Sequence, residues 1–178
     1  MRRVEKLEPI SVPVTPFHFG PGGFIAVASR RTISFLAFVA VNILIDVESL
    51  YHLLTHQPRI HTFLHTYVGA SIAAAAIVLA FIPARRLAMR MPESAFVAWR
   101  SLSIPAVCAG AFVGAWSHVF LDSIMHADIR PWAPFSQANG LYRAVSLPML
   151  HLACAAAGAI ALAWWWWSWW RSSSDDAA

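Results

Sequence analysis

The sequence predicts an all-helical integral membrane protein, a helical bundle with an N-terminal helical hairpin and three further transmembrane helices. Hydrophobic residues make up 58% of the chain and charged residues only 12%, about half of the roughly 25% that is usual in soluble domains. Because so little charge cannot cover a soluble surface, a bilayer must surround most of the chain. Apolar runs that approach the ~20 residues needed to cross a hydrocarbon core support this class.

The predicted hairpin comes from two apolar stretches near the N-terminus. Phe17 to Ser29 is short and interrupted by glycine and proline, and a second run follows from Thr32 to Leu54. At about 1.5 Å of rise per helical residue, a hairpin places His18 and Asp46 at nearly the same depth. The competing interpretation treats residues 1–31 as a cytoplasmic tail before four spans, and the distribution of Lys and Arg favours it. We prefer the hairpin because it brings His18 to the polar residues described below.

Three further apolar runs complete the predicted spans, at about 66–82, 102–125 and 145–170. Residues 17–170 are therefore predicted to form a single membrane-embedded domain, between an N-terminal tail at 1–16 and a polar C-terminal tail at 171–178. The last run ends in WWWWSWW, an aromatic belt typical of a membrane interface. Small residues crowd the spans, including Gly110 and Gly114, and allow close helix packing within one bundle. A homo-oligomer is a minor alternative.

The distribution of basic residues also predicts an orientation. The arginine-rich loop at 84–101 is expected to face the cytoplasm. The loops at 49–65 and 126–143 then face outward, so that the polar residues near them lie close to the outer face of the membrane.

Four acidic residues lie near this predicted outer face: Asp46, Glu48, Asp122 and Asp128. An ionisable group at membrane depth is costly unless it is paired, and it is a functional candidate by default. With so few acidic residues in the chain, four at one depth are difficult to explain as solvation of a surface.

Histidines accompany these carboxylates. His118 and Asp122 form an HxxxD pattern at the end of the 102–125 run, and His126 continues it one turn later. His61 and His65 form an HxxxH pattern entering the 66–82 run. Residues four apart share a helix face, so both patterns predict a pair of metal-binding side chains one turn apart.

Imidazoles with carboxylates and without thiolates suit zinc, with manganese or iron as alternatives. The number of candidates fits one ion with outer partners or two ions. The predicted metal ligands are His18, Asp46, His61, His65, His118, Asp122 and His126. A carboxylate outside this set, Glu48 or Asp128, is the predicted general base. Three other histidines, His52, His56 and His151, are predicted to lie outside the site.

Metal-assisted hydrolysis is the chemistry that these residues support best, because a bound metal activates water and polarises an ester or phosphoryl oxygen. At bilayer depth the expected partner is membrane lipid, with a phosphoester or ester of a lipid-like molecule as substrate; no nucleic acid is expected. The alternative is a non-catalytic protein with a structural metal site, or a partner-binding scaffold. A metal or proton transporter is a third possibility, although the runs 66–82 and 145–163 carry few polar residues.

Four sequence blocks, TPFHFGPG, IDVE, HTFLHTYVGA and SHVFLDSIMHADIRPWAPFS, resemble those of the bacterial membrane-bound metal-dependent hydrolases. That family includes the LexA-binding inner-membrane hydrolases and is more remotely similar to the zinc-dependent phospholipase C and nuclease group. The resemblance covers most of residues 15–140. It implies a multi-pass protein of the bacterial inner membrane, in which His18, Asp46, His65, His118 and Asp122 are metal ligands.

Overall fold

A computed structural model of the chain describes residues 16–29, 32–92 and 97–175. These residues form helices and contain no β-strand. A short 3₁₀ turn at Pro16–His18 precedes six helices: α1 (Phe19–Ala28), α2 (Phe35–Leu54), α3 (Tyr67–Ala88), α4 (Val97–Ser101), α5 (Ile104–Met125) and α6 (Leu147–Asp175). Helices α2, α3, α5 and α6 are long and apolar enough to cross a bilayer, whereas α1 is apolar but short. The predicted class, a hairpin followed by three further spans of a multi-pass membrane protein, is confirmed.

Some predicted boundaries lie outside the described residues. These include positions 1–15 of the predicted N-terminal tail and the hairpin turn at residues 30–31. Helix α6 continues to Asp175, so most of the segment predicted as a polar C-terminal tail, 171–178, is helical. Residues 176–178 are not described.

Helices α2, α3 and α5 form the core of the bundle. Each begins where a hydroxyl side chain caps it: Ser34, Thr66 and Ser103 accept a hydrogen bond from the backbone N–H three residues later. This contact satisfies a donor that the helix itself leaves unpaired. Their facing sides bury one continuous apolar cluster that runs from Ile45 at one end to Phe81 near the other.

Close contact between α2 and α5 depends on two glycines. A Cβ on Gly110 would lie 2.2 Å from the Ser34 carbonyl oxygen, and one on Gly114 would lie 2.9 Å from that of Phe38. Only glycine allows the two backbones to approach so closely. The GxxxG pattern therefore packs helices within one bundle, as predicted.

Helix α6 packs mainly against α1 rather than against the core. A Cβ on Gly20 would lie 2.0 Å from the Cys154 carbonyl oxygen, and Gly158 lies directly opposite. Just before α1, the ring of Phe17 stacks on His151 at 4.4 Å. Most of the rest of α6 is exposed, as expected for a helix that faces lipid.

The ends of α2 and α5 and the starts of α1, α3 and α6 meet at one end of the bundle, which we call the polar end. The loop after α5 closes it. The side-chain amide of Asn139 donates to the carbonyl oxygens of Ser123 and His126 at 2.9 and 3.2 Å, and the Arg143 N–H donates to the Ile124 carbonyl at 3.0 Å.

Candidate metal centre

All seven predicted metal ligands meet at the polar end. They form three overlapping groups, in each of which the candidate ligand atoms lie within 4.8 Å of one another: His18, His118 and Asp122; Asp46, His65 and His118; His61, Asp122 and His126. Six of the seven side chains are buried and His126 is partly buried. The hairpin is what brings His18, from the start of α1, to residues of α2 and α5.

Asp122 lies at the centre of this cluster. One carboxylate oxygen is 3.0 Å from His18 Nε2, and the other is 3.1 Å from His118 Nε2 and 3.5 Å from His65 Nε2. On the far side of His118, Asp46 Oδ1 is 3.4 Å from the same Nε2. The two carboxylates thus face a shared set of imidazole nitrogens.

Asn42 orients His118. Its side-chain N–H donates to the Phe38 carbonyl at 2.8 Å, so its Oδ1 points away from that carbonyl and accepts a hydrogen bond from His118 Nδ1 at 2.8 Å. Because Nδ1 carries the proton, Nε2 presents its lone pair to Asp46 and Asp122. Asn42 is only 1% exposed, which keeps this pairing away from water.

Glu48 orients His65 in a similar way. Its carboxylate accepts from the backbone N–H groups of Phe63 and Leu64, at 3.2 and 2.8 Å, and from His65 Nδ1 at 3.5 Å. Burial lowers the pKa of His65 to about 4, against the weaker opposing effect of Glu48. The imidazole is therefore neutral at neutral pH, as a metal ligand must be. The hydroxyl of Ser49 lies 3.3 Å from its Nε2.

Asp128 holds His61. Its two oxygens lie 2.9 and 3.0 Å from His61 Nδ1, and one also accepts from the His61 backbone N–H at 3.2 Å. Burial acts to raise the pKa of Asp128, but the hydrogen bonds and charge of His61 outweigh it and hold the pKa below its ordinary value. The ring of His61 stacks on His126 at 4.3 Å, and burial lowers the pKa of His126 as well.

The pairs Asn42–His118, Glu48–His65 and Asp128–His61 share one consequence. Asn42 Oδ1 and the two carboxylates can only accept, so each imidazole donates through Nδ1 and turns the lone pair of Nε2 into the cluster. There, Asp46 Oδ1 and His61 Nε2 are buried without a hydrogen-bond partner among the described residues. Converging acceptors with so few donors repel one another unless a metal ion or a shared proton lies between them. A divalent metal fits this donor set, and outer partners that fix histidine tautomers are typical of metal sites.

The structure corrects one local prediction. His61 and His65 do not lie one helical turn apart; both precede α3 in an irregular loop. The N–H groups of Phe63 and Leu64 bond to Glu48, and the loop folds back so closely that a Cβ on Gly69 would lie 2.0 Å from the Phe63 carbonyl oxygen. The loop nevertheless brings the two rings to 4.7 Å between centroids.

The three histidines predicted to lie outside the site do so. His52 Nδ1 pairs with the Ile60 carbonyl at 3.1 Å, His56 has a left-handed backbone after α2, with φ of 54°, and His151 stacks on Phe17. None of them belongs to the three candidate ligand groups within the described residues.

Sequence reasoning missed Asn42. The available signal was its position: it is a polar residue inside an apolar run, four residues before Asp46. That spacing places both side chains on the same face of α2, which faces α5.

No family model, curated protein sequence or solved structure matches the chain. The resemblance to membrane-bound metal-dependent hydrolases therefore stays a prediction, and the geometry of the polar end carries the functional argument.

Proposed function

We propose that this protein is a membrane-bound, metal-dependent hydrolase whose active centre is the cluster at the polar end. One observation carries the proposal: three imidazoles are each held at Nδ1 by a buried or partly buried acceptor, and Nε2 of His65 and His118 lies 3.1 to 3.5 Å from the carboxylates of Asp46 or Asp122. The set of nitrogen and oxygen donors without sulfur favours zinc, with manganese or iron as alternatives. Three overlapping groups provide room for one or two ions.

A metal held by these residues supplies Lewis acidity, which lowers the pKa of a coordinated water and polarises an ester or phosphoryl oxygen. The chain's own contribution is to fix its ligands and to limit access of bulk water. Asp122 is close to three imidazoles at once, so it holds the cluster together. The sequence predicts either Glu48 or Asp128 as the general base; their hydrogen bonds to His65 and His61 favour positioning roles, in which they fix the imidazole tautomers.

The proposed substrate is a lipid-like molecule with a phosphoester or ester bond. The centre lies at the ends of spanning helices, where a polar headgroup meets the hydrocarbon core, so a lipid reaches it without leaving the bilayer. The proposed location is the bacterial inner membrane, with the polar end toward the outer face. The resemblance of the four sequence blocks to membrane-bound hydrolases supports both inferences.

The test combines metal analysis with a hydrolysis screen. Purified wild-type protein, Asp122→Ala and a control, His151→Ala, are assayed with phospholipids and acyl esters of several headgroup classes, with and without added zinc. We expect metal-dependent release of a headgroup or acyl product by wild type and His151→Ala, and none by Asp122→Ala. Bound metal with no turnover of any lipid class would instead favour a structural metal site or scaffold.

A further inference from the structure

A long groove lies between the α1–α6 pair and the starts of α2 and α5. It encloses about 1570 Å³, more than the ~300–1,000 Å³ typical of small-molecule pockets. Its lining extends along α6 from Cys154 to Ser172, which corresponds to ~27 Å of helix. A groove of this length suits an extended molecule rather than a compact one.

The wall of the groove is apolar. No lining residue among the described parts of the chain carries a charge, and many are small, including Gly23, Ala26, Ala155 and Ala159. Small side chains leave the volume open where α6 diverges from the core. The apolar cluster that links α5 to α6 is confined to the polar end, at Leu121, Ile124, Leu150 and Cys154.

At least four of the five serine hydroxyls in the lining are already bonded within the protein. Ser34 and Ser103 cap α2 and α5, and Ser168 and Ser172 donate to carbonyl oxygens of their own helix at 2.9 to 3.0 Å. The groove is therefore better suited to bind hydrocarbon than hydrogen-bonding groups. In a bilayer, acyl chains are the hydrocarbon that surrounds every exposed surface.

One end of the groove adjoins the metal centre. Phe17 and Phe19, the residues on either side of His18, both line it, while His18 itself turns inward to Asp122. A molecule lying in the groove thus has one end beside a candidate metal ligand. No described residue of the metal centre lines the groove itself, but this proximity distinguishes the groove from an ordinary lipid-facing surface.

We propose that the groove binds one acyl chain of a membrane glycerophospholipid, whose polar end then lies at the metal centre. The proposal defines the substrate class and rests on the proposed function for turnover, although binding of the chain can be measured without turnover. It also predicts that the lipid enters sideways from the bilayer, between α1–α6 and the core.

The test uses the full chain in vesicles of phosphatidylethanolamine and phosphatidylglycerol that contain a trace of phospholipid with a diazirine near the end of one acyl chain. After irradiation, adducts are mapped by mass spectrometry. Ala159→Phe on α6 and Ala26→Phe on α1 fill the groove from two different helices, and Ala156→Phe, at an exposed position of α6 outside the lining, is the matched control. Exposed Ile72 on α3 reports ordinary lipid contact.

Wild type and Ala156→Phe are expected to carry adducts mainly on groove residues. These adducts fall about tenfold in each filled variant, which corresponds to a loss of about 1.4 kcal/mol of binding free energy, while labelling at Ile72 stays constant. Equal labelling of the groove and Ile72 in wild type, or unchanged groove labelling in both filled variants, would overturn the proposal. A bifunctional protein crosslinker, applied to the same vesicles, tests for a second copy: dimers joined through groove residues would also overturn the proposal, because the second copy would then be the occupant.

Metal content measured on the same samples separates the two proposals. Retained metal in a filled variant also confirms that it has folded. Groove-specific adducts on protein that binds no metal would remove the proposed function but keep the lipid site. Metal-dependent hydrolysis without groove-specific adducts would support the proposed function but remove the lipid site.

Discussion

The three-helix core of α2, α3 and α5 and the peripheral pair of α1 and α6 are built in different ways. The core is packed along its length and buries Asp46, His118 and Asp122 with their orienting partners. The peripheral pair is joined by its backbones at Gly20 and Gly158, contributes one candidate ligand, His18, and leaves a groove beside the core.

This difference matches two requirements of the proposed membrane hydrolase. Its metal ligands would need to be held rigidly, and the core supplies that rigidity through close helix contacts and fixed tautomers. Its lipid substrate would need to enter from the bilayer, and the less densely packed side next to α1 and α6 would provide a path. Substitutions in the two regions should therefore have different consequences.

The largest effect is expected from removing a ligand in the core. His118→Ala and Asp122→Ala should each reduce bound metal to background, because both residues belong to two of the three candidate ligand groups. His151→Ala, on the peripheral helix and outside the cluster, should bind metal like wild type. Elemental analysis of the purified variants measures this. Equal metal in all four proteins would place the site elsewhere.

Removal of the metal should destabilise the protein. A ligand present at 100 times its dissociation constant stabilises the folded state by about 2.7 kcal/mol. We therefore expect a chelator to lower the thermal unfolding midpoint in detergent, and added zinc to restore it. In Asp122→Ala the midpoint should respond to neither treatment. A chelator effect of the same size in wild type and Asp122→Ala would indicate a cause unrelated to this centre.

Loss of an outer partner should have a smaller effect. Asn42→Leu removes the acceptor for His118 Nδ1 and should weaken metal binding about 10- to 100-fold. Asn42→Asp keeps an acceptor oxygen and should bind closer to wild type. Competition titration with a metal indicator gives both affinities. If the two variants were equally impaired, Asn42 would act through packing rather than through the imidazole tautomer.

The last comparison concerns packing, which should change stability rather than metal affinity. Gly110→Ala pushes a methyl group against the Ser34 carbonyl between core helices and should cost about 1–3 kcal/mol of stability. Gly23→Ala, where a Cβ would lie 3.6 Å from that of Ala161 on the groove side, should leave stability within about 0.5 kcal/mol of wild type. Thermal unfolding in detergent compares them, and equal losses would contradict the distinction between a tight core and an open periphery.

Much of the fold could be predicted because long apolar runs leave few alternatives to spanning helices. The candidate ligands could be predicted because ionisable residues are scarce in such runs, so that His18, Asp46 and Asp122 stand out. The loop that carries His61 and His65 could not, because its conformation depends on backbone hydrogen bonds to Glu48 from another element. The groove could not be predicted either, since it results from the divergence of α6 from the core, a tertiary property.

The most direct test of the central claim is the elemental composition of wild-type protein purified without exposure to chelator. We expect about one or two transition-metal ions per chain, with zinc favoured, and their loss in His118→Ala. Wild-type protein that contains no transition metal, and takes up none when zinc is supplied, would contradict it.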